Sequence, residues 1–290
     1  MLWSLDETAL DLFARRPARG FRSGLRFVDD AAAPSDGWKP RQTVEIAGGG
    51  ATPRLLVLLH AVAAFLLRSA QDASRSDGHF NLHQLQEATE RVVFFDHELE
   101  ADARMLLDVL CAKLRAHVAD PAQCREVARR AIDRVALYNC RDTFQWLATL
   151  NQLHFELLEA PPAPLLIAIN CVGSFHAIDK MTAKSVGDGL ALSEQAFLFL
   201  KQFSHHHSPI VFAVKDTTAS FRSGWESPEL LPSSWSSQVS KRILLRTVRA
   251  AASGEAKDDA KEESDAHLSF EAKGCEVDVL DQQQSSAQLK

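Results

Sequence analysis

A chain of 290 residues, 46% of them apolar, is long enough to bury one large core. Its formal net charge of -6 argues against strong, autonomous binding to nucleic acid, because that affinity comes largely from cationic groups displacing counterions from phosphates. The scattered cysteines (Cys111, Cys124, Cys140, Cys171 and Cys275) argue against a disulfide framework and for a reducing, intracellular setting.

The opening "MLWSLDETALDLFARRPARG" has no apolar core of signal-peptide length, and residues 1–38 read as a helical lead-in. Residues 39–253 read as the core. Short β-rich apolar runs alternate there with longer helical patterns, the signature of an α/β domain with a mostly parallel, twisted sheet flanked by helices. Strands are expected at 43–47, 91–96, 134–140, 164–170, 209–215 and 242–248, and their near-continuous apolar character marks strands covered on both faces. Apolar residues recurring three and four apart predict helices over 54–69, 100–118, 143–160 and 190–205. The longest apolar stretch, 55–67 broken by His60, falls short of the ~20 residues that cross a bilayer, so no membrane contact is expected.

Residues 70–80 read as a solvated loop. Pro161, Pro162 and Pro164 stop the third helix and force an extended approach to the next strand. The stretch "GEAKDDAKEESDA", 254–266, is charge-rich and apolar-poor, which predicts a flexible acidic insertion. Beyond it "LSFEAKGCEVDVL" reads as a C-terminal β-hairpin over 267–280 that turns at Gly274 and completes the core, and 281–290 as a disordered tail.

The first strand runs into "GGGATPRL" before the first long helix. A turn that wraps phosphate needs successive backbone N–H groups, with glycines for positive φ, then a Lys for the β/γ phosphates and a Ser or Thr for Mg²⁺. Gly48, Gly49, Gly50, Ala51 and Thr52 fit the first part of that plan. Pro53 has no N–H, Arg54 offers a planar fork in place of a compact ammonium, and Leu55 has no oxygen for a metal. The strand-end position that would supply a second metal contact holds an amide, Asn170. Glu98 in "FFDHE" is the remnant candidate for activating water. The residues therefore describe a degenerate nucleotide site with no catalytic residue expected, no metal ligand and no required cofactor, and leave ATP binding without hydrolysis open.

The succession of "VEIAGGGATPRLLVLLHAV", "VVFFDHELEADARMLL", "LLIAINCVGSFHAIDK", "IVFAVKDT" and "SSWSSQVSKRILL" resembles the RecA-type recombinase core, in particular its eukaryotic recombinase paralogues, over roughly residues 8–277. The most specific pieces are "GSFHAIDK", "SSWSSQVSKR" and "HLSFEAKGCEV". The resemblance implies a RecA-like P-loop ATPase core, a nuclear setting and homologous-recombination repair of double-strand breaks and stalled replication forks. It further implies a hetero-oligomer with another recombinase paralogue, DNA being bound mainly through that complex. Where that family has Gly-Lys-Thr at the loop's end this chain has Pro53, Arg54 and Leu55, and Asn170 replaces the strand-end Asp. A non-catalytic subunit is the expectation. Two alternatives are a DNA-stimulated ATPase with a divergent P-loop, and a doubly wound small-ligand protein whose Gly-rich turn serves another anion.

Other residues invite functional readings that simpler ones outweigh. His205, His206 and His207 in "SHHHSP" are expected to form a solvated connection rather than a metal site. Asp179 and Lys180 read as a surface pair or a helix-start feature. Cys140 and Cys171 stand at the ends of strands expected to be neighbours, as buried small hydrophobes. By the resemblance, Trp235 belongs to a DNA-facing segment, 216–240, which carries Arg222 against Asp216, Glu226 and Glu229, a poor surface for phosphates.

Overall fold

The computed structural model describes residues 20–32, 37–49, 53–71, 80–182, 186–217, 231–247 and 275–281. The strands are β1 Thr43–Gly48, β2 Arg91–Asp96, β3 Val135–Tyr138, β4 Leu165–Asn170, β5 Ile210–Asp216, β6 Lys241–Thr247 and β7 Cys275–Asp281. The helices are α1 Arg26–Asp29, α2 Arg54–Leu66, α3 Leu82–Gln86, α4 Ala103–Leu114, α5 Pro121–Ile132, α6 Thr143–Glu159, α7 His176–Thr182, α8 Val186–His207 and α9 Ser233–Ser236. The strands make one sheet in the order β3-β2-β4-β5-β1-β6-β7. All pairs are parallel except β6 with β7, which is antiparallel and aligns Thr247 with Cys275.

Side chains alternate across this sheet, so each strand feeds two cores. Val44, Ile46, Phe94, Leu166 and Phe212 pack with α2, α4 and α5. Val93, Phe95, Ile167, Val211 and Ala213 face the other way, against Trp146 and Leu150 of α6, Phe197 and Leu200 of α8, and Trp235 of α9. Every residue of β1 and β4 is buried, and burial from both sides explains the apolar run of β4, whereas β1 carries Glu45 at its centre. Coverage on both faces fails at β3, where Leu137 is 48% exposed. That strand is an edge, with a neighbour on one side only.

Helix α2 is buried from Val57 to Leu66, which accounts for apolar residues on every face with His60 as the one polar side chain of that stretch. Aspartates start three of the others. Asp102 accepts from the Arg104 N–H, Asp120 from Ala122 and Gln123, and Asp142 from Gln145, each satisfying first-turn donors. The long helix expected over 100–118 is the shorter α4, and α5 follows it as a separate helix that was not among those expected. Of the expected lead-in, residues 1–19 and 33–36 lie outside the described residues, and so do the acidic stretch 254–266, most of the 70–80 loop, the first half of the 267–280 strand pair and the tail beyond Asp281. The second half of that pair is β7, which extends the sheet beyond β6.

Candidate functional site

The C-terminal ends of the parallel strands are where an open α/β sheet places its ligands, so the sequence-predicted residues are judged there. Gly48 ends β1 in register with Asp216 of β5, and its carbonyl accepts the Thr217 N–H at 3.0 Å. The positive-φ glycines among the described residues are Gly24 and Gly37, so neither Gly48 nor Gly49 takes the left-handed backbone expected of a phosphate cradle. Gly50, Ala51 and Thr52 lie outside the described residues. Pro53 precedes α2 with φ -79° and ψ 46° and makes no side-chain cap.

Arg54 opens α2 with its guanidinium largely buried, and its Nη1 stands 2.9 Å from Asp216 Oδ1. The approach is off-line, an ion pair without a hydrogen bond. Asp216 thus ends β5 and neutralises Arg54, whereas the sequence suggested only an acid in a DNA-facing segment. Leu55 is half-buried and packs against the core, filling with apolar contacts the position where a metal-binding hydroxyl would stand.

Asn170 is buried at the end of β4, level with Asp96 of β2. Its Nδ2 donates to Asp96 Oδ1 at 2.8 Å, and Asp96 Oδ2 accepts the Ala101 N–H at 2.7 Å. The amide thereby turns this acid into the acceptor of a closed structural pair. Asp96 escaped the sequence reading, although its place as the last residue of "RVVFFD" was the available signal. Next to it His97 is buried, with Nδ1 3.1 Å from the Cys171 carbonyl, so the neutral tautomer donates from Nδ1. Burial lowers its pKa to about 4, against the smaller opposing effects of that hydrogen bond and of Asp96.

Glu98 is half-buried and accepts a long contact of 3.5 Å from Ser174 Oγ. The Cys171 thiol is pushed up to about 11, first by burial and then by Glu98. The lateral order β2-β4-β5-β1 sets Glu98 three strands from Gly48, roughly 14 Å at normal inter-strand spacing. The fold thus brings Arg54 to Asp216 and Asn170 to Asp96, and sets Glu98 beside Ser174 and Cys171, on the side of the second pair and away from Gly48.

The remaining candidates also settle into structural roles. Asp179 is buried, not a surface pair with Lys180: it accepts from Thr143 Oγ1 at 2.7 Å and Ser193 Oγ at 3.0 Å, tying α7 to α6 and α8. His205, His206 and His207 form the last turn of α8 rather than a loop, and His207 Nε2 lies 2.8 Å from His154 Nδ1. Cys140 and Cys171 are buried, but β2 separates their strands. Trp235 is fully buried and donates to Glu45 Oε2 at 2.6 Å, so it does not face a DNA surface. Among the described residues no group of His, Cys, Asp and Glu is arranged to hold a metal ion, and no helix is long and apolar enough to cross a membrane. No family model matches the chain, and no curated protein matches it.

Proposed function

We propose that this chain is a non-catalytic RecA-type subunit that stabilises a nuclear recombinase-paralogue complex in homologous-recombination repair of double-strand breaks and at stalled forks. The observation that carries the reading is the buried Asn170–Asp96 pair: the strand-end group that would hold a metal is instead a donor closed on its neighbour's acid. The strand order supports the RecA-like assignment, with β5 between the glycine-bearing β1 and the Asn170-bearing β4. Arg54 held by Asp216 and Leu55 turned to the core support the loss of hydrolysis. With net charge -6, the chain contributes to DNA binding mainly through a more cationic paralogue.

The half-buried Glu98 favours one second reading, a DNA-stimulated ATPase whose site is completed by the partner subunit. Co-expression with candidate paralogues, followed by size exclusion and titration with single-stranded DNA at physiological salt, tests the proposal. The expected result is a hetero-oligomer that binds DNA more tightly than the free chain does. A chain that ignores every paralogue yet binds DNA with sub-micromolar affinity on its own would overturn it.

A further inference from the structure

At the opposite end of the sheet, a cavity of about 400 Å³ opens between the start of β1 and the last turns of α8. Arg41, Lys201, His205 and His206 line it, and among the described residues no carboxylate does. In a chain of net charge -6, such a local excess of basic groups is unlike the average surface.

The mouth of this cavity is held in a set geometry. Arg41 and Ser208 both have positive φ, 69° and 52°, which non-glycine residues adopt rarely and at a cost. They are locked together: Arg41 Nε donates to Ser208 Oγ at 2.9 Å, Nη2 to the His205 carbonyl at 3.1 Å, and the Arg41 N–H to the Pro209 carbonyl at 2.7 Å. Two of the guanidinium donors fix the group and the others remain for a ligand. Ser204, also in the lining, has a buried Oγ with no hydrogen-bond partner, and a buried polar atom in that state calls for one.

We propose that this cavity binds a small phosphorylated ligand of the nucleoside monophosphate class. A guanidinium fork beside an ammonium suits a phosphate dianion. The volume exceeds what one phosphate fills and lies within the range of small-ligand sites, ~300–1,000 Å³. The methylene stems of Arg41 and Lys201, and the His205 and His206 rings with centroids 6.3 Å apart, offer apolar surface to a planar base. The site is independent of the proposed role in recombination and of the glycine-rich turn, which lies at the far end of β1.

Calorimetric titration of the full chain with adenosine monophosphate, pyrophosphate and adenosine tests this. Adenosine monophosphate is expected to bind saturably and more tightly than either of the others. Lys201→Glu, an exposed change whose circular dichroism is expected to match the parent chain, should weaken it by about tenfold or more. Arg41→Ala weakens it likewise, and Arg54→Ala leaves it unchanged. Absence of saturable binding below ~5 mM, equal binding of pyrophosphate, or binding lost in Arg54→Ala but kept in Lys201→Glu would each overturn the proposal.

Discussion

At the C-terminal end of the sheet, Asp96 is occupied by Asn170 and the Ala101 N–H, and Arg54 stands against Asp216. At the N-terminal end, Arg41 and Lys201 line a cavity that has no carboxylate among its described residues. Among the described residues, the acid and the arginine at the end where this class of fold usually carries chemistry are each paired with a neighbouring side chain, while the basic groups at the other end have no carboxylate beside them. Position in a fold marks where a site can be built; whether the polar groups are already paired decides whether one exists.

Between the two ends lies the interaction whose loss is expected to matter most. Glu45, 0% exposed in the middle of β1, meets Arg242 Nε at 2.5 Å and accepts from Trp235 Nε1. Arg242→Ala would leave a buried charge without its counter-ion, at a cost of about 3–5 kcal/mol in a urea titration. A loss below ~1 kcal/mol would mean that the sheet centre tolerates a lone carboxylate, and the contrast between closed and open ends would lose its physical basis.

The closed pair itself comes next. Asp96→Ala orphans the Asn170 amide and the Ala101 N–H and should cost about 2–3 kcal/mol, whereas a combined Asp96→Leu, Asn170→Leu change should recover part of that. Equal stabilities of Asp96→Ala and the parent chain would show that the pair contributes nothing.

Acid distinguishes buried from open imidazoles. Burial lowers both His60 and His97 to about 4, Lys113 adding to the effect at His60. Both are neutral in the folded chain and titrate near 6.5 once unfolded, so the unfolded state binds more protons between those values. Their contribution is complete above pH ~6.5 and declines as pH falls towards 4, at up to ~1.4 kcal/mol per pH unit for each. His97→Gln should flatten the pH dependence of stability over that window; an unchanged slope would contradict a buried neutral His97. The smallest effect is expected at Asp216, whose carboxylate is 47% exposed: Asp216→Ala should change stability by less than ~1 kcal/mol and confer no ATP turnover.

Much of the sheet was legible because strands buried on both faces are written as unbroken apolar runs, and β2 falls where the sequence put it. Helix α5 escaped because its buried stripe is made of small residues, Cys124, Ala128 and Ala131, in an otherwise charged stretch, although Asp120 followed by Pro121 is a helix-start signal. The losses at Pro53, Leu55 and Asn170 could be read one residue at a time. Their consequences could not. That Asn170 would meet Asp96, Arg54 meet Asp216, and Trp235 meet a glutamate 190 positions earlier depends on strand order and register. Local pattern carries neither.

Steady-state ATP hydrolysis by the purified chain, alone and with Arg54→Ala beside it, tests the central claim most directly. The closed C-terminal edge predicts no turnover above a no-protein blank and no difference between the two proteins. Turnover above the blank that disappears in Arg54→Ala would contradict the account and establish this edge as a working nucleotide site.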